Sequence, residues 1–233
     1  MLSAAPRYAW RRSDLVLGRM LALSPLSIVI SFVFSVLALG IVSVFTPKPA
    51  NPQSGWDEMT GIFEGMMAGF AVAQIVLAAA QIAIAIAVAI IASRLRRFRR
   101  GHVLGPIVIA LSLAAVVSTA LDCAGRITPE LVVASGTGTL HDVLRWASPV
   151  LVALAIALLL MLLRMCGLAT GRFPSLPPLA LASPLLLIPS VRMLDLVAAF
   201  IPPVILGAVW LRALGNAKAG GASVDAPPAS VLS

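Results

Sequence analysis

IFEGMMAGFAVAQIVLAAAQIAIAIAVAIIAS, residues 62–93, carries a single charge, Glu64, and none from Gly65 onward. A helix on the surface of a soluble bundle keeps a polar stripe along its length, and this stretch has none. It is longer than the ~20 apolar residues that a helix needs to cross hydrocarbon. Five arginines close it: Arg94, Arg96, Arg97, Arg99 and Arg100. The stretch reads as a membrane-spanning helix with a basic stop, long enough to tilt or protrude.

The same alternation runs through the 233 residues. Hydrophobic residues make up 60% and charged ones 11%, too little charge to cover a soluble surface of this size. Ala, Leu, Val and Ile dominate over aromatics, which favours helices over a barrel of alternating strands. The apolar runs place spans at about 21–45, 61–93, 103–121, 146–166, 176–191 and 196–214. The expected fold is therefore all-α: a polytopic transmembrane helical bundle of six spans over 21–214. Residues 1–20 form a basic cytoplasmic segment, and the Gly-, Ala-, Ser- and Pro-rich residues 215–233 a disordered cytoplasmic tail. The run from 21 to 45 is too long for a cleavable signal core and has no small-x-small site after it, so it stays as the first span. The segment 176–191 carries Pro177, Pro178, Pro184 and Pro189. It also reads as a re-entrant segment, which leaves five spans and an outside C-terminus.

Charge decides the orientation. With the N-terminus inside, thirteen of the seventeen basic residues fall on the cytoplasmic side, and Lys48, Arg126, Arg145 and Arg192 fall outside. The acids divide the other way, with only Asp14 and Asp225 inside. This is the positive-inside pattern of an N-in, C-in protein. The net charge of +8 thus belongs to topology, and no nucleic-acid partner is expected because the basic residues are scattered between spans. Residues Arg94, Arg96, Arg97, Arg99 and Arg100 serve as a topology anchor or bind anionic lipid head groups at the cytoplasmic face. Length and charge pattern suit the inner (cytoplasmic) membrane of a bacterium. Cys123 and Cys166 fall at opposite ends of their spans, too far apart for a disulfide.

The polar residues within and beside the spans are the functional candidates. Gly61, Gly65 and Gly69 recur every fourth residue and give the second span a face that another helix can approach closely, in the same chain or in a homo-oligomer. Gln74 and Gln81 share one helical face and need partners in an apolar setting. Glu64 lies one turn inside the outer end of the span, where a carboxylate requires pairing or water. Asp122, Glu130, His141, Asp142 and Arg145 gather on the outer side around the start of the fourth span. Thr139 there suits an N-cap and Asp142 the positive end of the helix dipole. A candidate outward-facing polar site follows: Glu64, Asp122, His141 and Asp142, with His141 as proton relay, pH sensor or loop hydrogen-bonding group.

The order of these features resembles a bacterial family of six-span proteins, a domain of unknown function (DUF nine-nine-eight). The Gly-rich opening of the second span, the basic linker before the third, Gly138-Thr139-Leu140-His141 and Arg192 before the last span carry the resemblance, over most of residues 20–214. Asp122-Cys123 stands where the family often has Phe-Pro. The resemblance implies a membrane protein of unassigned activity, with His141 as its first candidate functional residue.

Two histidines do not supply a His-rich intramembrane metal site, and no nucleotide-binding loop, nucleophile elbow or CxxC motif is present. No cofactor or metal is expected. The expectation is a non-enzymatic integral membrane protein, a small transporter or an accessory subunit of an envelope complex. The alternatives are the permease subunit of an ATP-driven exporter and a membrane-embedded hydrolase. The first needs a separate ATPase and a longer cytoplasmic coupling loop than residues 94–102 provide. The second needs a nucleophile, for which Ser135, Thr137 and Thr139 are the nearest hydroxyls to His141.

Overall fold

A computed structural model describes residues 10–45, 55–96, 98, 101–128, 138–168 and 192–219. All regular structure among them is helical: α1 (Arg12–Ala22), α2 (Leu26–Phe45), α3 (Gly55–Leu95), α4 (Gly101–Ile127), α5 (Gly138–Met165) and α6 (Arg192–Ala219). Four of these helices contain a span long and apolar enough to cross a membrane: Gly65–Leu95, Gly101–Ile127, Ala147–Met165 and Ala199–Asn216. A fifth is added if α1 and α2, separated by a break at residues 23–25, cross as one broken span. The proposed span at 176–191 lies outside the described residues.

Helix boundaries depart from the hydropathy reading at places with a local cause. The apolar run 21–45 is not one helix, because Pro25 disfavours helical geometry at Ser24 and ends α1. Residues 12–20 of the expected basic N-terminal segment lie in α1. Its Arg11 N–H is received by the Asp14 Oδ2 at 2.8 Å, which caps the first turn. Helix α3 has 41 residues, about 60 Å at 1.5 Å per residue, twice the ~30 Å hydrocarbon thickness. Helix α4 runs on through Asp122 and Arg126 rather than giving way to a loop there. Helix α5 begins at Gly138, so Thr139 lies within its first turn and not at the cap. It ends in a Schellman turn, where Gly167 takes φ +71° and donates to the Arg164 carbonyl at 3.0 Å. Leu168 N–H reaches Leu163 O, also at 3.0 Å. Helix α6 includes Arg192 and Asp195 and continues through Gly215 to Ala219, beyond the expected start of the tail. Residues 220–233 of that tail lie outside the described residues.

Pro106, Pro149, Pro202 and Pro203 sit inside helices. Each lacks an N–H, leaving a carbonyl one turn earlier to find another donor, a pattern tolerated in membrane helices because neighbours re-satisfy the backbone.

The described residues divide into two compact units: those within 1–24, 84–115 and 149–233 form the first, and those within 25–83 and 116–148 the second. In the first unit, Ile84, Val88, Ile91 and Leu95 of α3 are buried, as are Ile156, Leu159 and Leu163 of α5, and Phe200, Leu206 and Trp210 of α6. Helix α1 lies against α6 at two glycines. A Cβ on Gly18 would come within 2.8 Å of Leu211 Cδ2, and one on Gly207 within 2.5 Å of the Ala22 backbone nitrogen. Small residues at a crossing let two backbones approach, a recurrent device in membrane helices. In the second unit, α2 lies on α3. A Cβ on Gly69 would stand 2.9 Å from the Ser35 carbonyl oxygen, and one on Gly65 2.9 Å from Leu39 Cδ1. Ser31, buried in α2, donates to the Ala73 carbonyl at 3.3 Å. Most other large residues of α2 are exposed, among them Phe32, Val36 and Phe45. The chain is a helical membrane protein, and such apolar exposure is what helix faces turned to lipid require.

Candidate functional site

Two polar nodes stand out among the described side chains, one in each unit. In the second unit, Asp122, Cys123 and Arg126 lie within one turn of α4, and Gln74 is the facing residue of α3. Arg126 Nη2 pairs with Asp122 Oδ2 at 2.8 Å, the i,i+4 spacing that brings side chains together on one helix face. Arg126 Nη1 donates to Gln74 Oε1 at 3.0 Å, so the guanidinium ties α4 to α3. The Cys123 thiol points at the Gln74 carbonyl at 3.9 Å. The Asp122 and Arg126 side chains are half-buried, 14% and 27% exposed. A half-buried charge pair with a hydrogen-bonded amide is stronger than a surface pair, because solvent screens it less.

Hydroxyls continue this polar layer along α4. Thr119 Oγ1 and Ser148 Oγ of α5 are 2.5 Å apart and both buried. Ser118 donates to the Leu144 carbonyl at 3.1 Å. These contacts fasten α4 to α5 where apolar side chains alone give no preference over lipid.

Of the expected site residues, Asp122 is placed in this node. Glu64 belongs to α3, and His141 and Asp142 to the first turns of α5, but their side chains lie outside those described, as do Glu130 and the side chain of Arg145. Gly61 is likewise placed only as part of α3. Arg126, read from sequence as one of four outside basic residues, is the cation of the node. Its signal in the sequence was the Asp122-to-Arg126 spacing, which becomes meaningful once α4 extends past Leu121. Gln74 bonds to Arg126, whereas Gln81 is half-buried in the same helix.

The first unit holds a node that the sequence did not suggest. The Asp14 side chain of α1 is fully buried and forms an ion pair with Arg94 at the end of α3. Arg94 Nη2 also donates to Ser13 Oγ at 3.2 Å. Trp210 Nε1 of α6 donates to the Asp14 carbonyl at 2.9 Å. Trp10 meets Trp210 edge-on, with ring centroids 5.1 Å apart. One residue thus caps α1, neutralises Arg94 and receives α6. Within the basic run, Arg94 turns to a protein carboxylate, Arg96 is exposed, and the side chains of Arg97, Arg99 and Arg100 lie outside those described.

Among the described residues no group of three or more His, Cys, Asp or Glu side chains is placed to hold a metal ion. Both cysteines are free thiols. No family model, curated protein or solved structure matches the chain.

Proposed function

We propose that this chain is a six-span, N-in, C-in protein of a bacterial inner membrane, acting without chemistry of its own as a small transporter or as an accessory subunit of an envelope complex. The observation that carries this reading is the Asp122–Arg126–Gln74 node, an ion pair within α4 whose guanidinium is hydrogen-bonded to the Gln74 amide of α3. Charged residues in such segments are costly and usually mark a substrate path, a relay or an assembly contact. The positive-inside count puts the node toward the outer face, on the side expected for Glu64, His141 and Asp142. The resemblance to the six-span family of unknown function agrees with this plan.

Reconstitution distinguishes the two forms of the proposal. The purified chain in proteoliposomes carrying a pH-sensitive dye is expected, if it transports, to pass protons or a co-ion under an imposed gradient, and Asp122→Asn to abolish that flux. An accessory subunit passes nothing and instead co-purifies with a partner in mild detergent, a pairing weakened by Arg126→Gln. A chain with neither flux nor partner contradicts the reading. Co-purification with an ATPase would point to the exporter-permease alternative.

A further inference from the structure

Helix α1 presents one face to the protein and another outward, and the outward face is chemically mixed. Asp14, Gly18 and Leu21 are buried, while Arg12, Val16, Arg19 and Met20, at the i, i+4, i+7 and i+8 positions of one stripe, are exposed. Val16 is 64% exposed, and Leu23, just past the helix, 57%. Helices that lie in the plane of a membrane interface combine such apolar residues with arginines whose stems lie along hydrocarbon while their heads reach phosphate. The burial of Asp14 sharpens this. The acid of α1 faces inward onto Arg94, so the charged side chains on the exposed stripe of the helix are Arg12 and Arg19.

From this we infer that α1 is an interfacial helix whose outer face, through Arg12, Arg19, Val16 and Met20, seats on the anionic phospholipid surface of the leaflet at the N-terminal side. The Asp14–Arg94 pair and the Gly18–Gly207 approach orient it; they set which face meets lipid. Of the arginine run after α3, the first member, Arg94, is engaged by Asp14 and serves to orient α1. The inference needs only that the chain is in a bilayer, and stands whether or not the protein transports.

The test uses the full chain in nanodiscs of phosphatidylcholine alone or with phosphatidylglycerol. A fluorophore on Val16→Cys, in a Cys123→Ser, Cys166→Ser background, is exposed to brominated forms of each lipid. The expected result is quenching by both, several-fold stronger from phosphatidylglycerol. That preference should disappear in Arg12→Gln, Arg19→Gln and shrink as salt rises. In the unmodified chain, amide exchange in α1 should slow when phosphatidylglycerol is added, a readout that survives if the labelled variant folds poorly. Equal quenching by the two lipids, access only to aqueous quenchers, or unchanged exchange would overturn the inference. So would energy transfer between labels on two chains, which would put a second copy on this face.

Discussion

Asp14 and Arg94, eighty residues apart, form an ion pair whose carboxylate side is fully buried and whose guanidinium side is one-quarter exposed. The asymmetry has an energetic consequence. Removing the arginine strands a carboxylate in the interior, whereas removing the carboxylate leaves an arginine that can still extend toward solvent or head groups. Arg94→Ala is expected to cost about 3–5 kcal/mol and Asp14→Asn clearly less. The double variant should recover part of the Arg94→Ala loss. Thermal unfolding of the three variants in one detergent checks the order, and equal costs for the two single variants would contradict it.

Trp210→Phe removes the hydrogen bond to the Asp14 carbonyl and part of a fully buried ring that packs on Trp10. A loss of about 2–3 kcal/mol is expected, the ~1 kcal/mol net worth of one such bond plus the cost of the cavity that the smaller ring leaves. Denaturant unfolding of the variant against the native chain measures it.

Gly65 and Gly69 should separate on substitution. At Gly69 a methyl meets the backbone oxygen of Ser35, which can retreat only if α2 moves. At Gly65 it meets the tip of the Leu39 side chain, which can rotate away. Gly69→Ala is expected to cost roughly 1–3 kcal/mol, in the range of overpacking, and Gly65→Ala less. Gly65→Leu exceeds what Leu39 can yield and should impair assembly. Yield and melting temperature of the three proteins test the ranking.

The buried Thr119–Ser148 contact should be worth what interhelical hydrogen bonds give in membranes, about 0.6 kcal/mol and at most ~1.7. Thr119→Val measures it most cleanly, since the shape is kept and only the hydroxyl is lost. A double-mutant cycle with Ser148→Ala separates the pair energy from changes at each site alone.

Hydropathy located the apolar helices because lipid exposure leaves long runs without charge, as between Gly65 and Ser93. It placed their ends poorly, since a helix does not stop where apolarity does. Asp122 and Arg126 are accommodated in α4 because their side chains satisfy each other across one turn, and the charged helix α1 packs on the bundle with its Asp14 paired to Arg94. The first cause is local but shows only once the helix is known to continue, and the second is not local. The Asp14–Arg94 pair spans eighty residues, and the glycine crossing joins Gly18 to Gly207 without the regular spacing that marked Gly65 and Gly69. Of the candidate site, Asp122 was legible as an acid beside a span. The roles of Gln74 and Arg126 were not, because they depend on which helix face α3 turns to α4.

The two native thiols report on which side of the membrane the Asp122–Arg126–Gln74 node lies, which is the outer face if the protein is N-in. A membrane-impermeant maleimide is applied to intact spheroplasts and to inverted vesicles, with Cys123→Ser and Cys166→Ser each isolating the other thiol. Cys123, beside Asp122 and Gln74, is expected to be modified from the outside, and Cys166 only in inverted vesicles. Modification of Cys123 solely in inverted vesicles would contradict this, reversing the orientation and placing the Asp122–Arg126–Gln74 node on the cytoplasmic side.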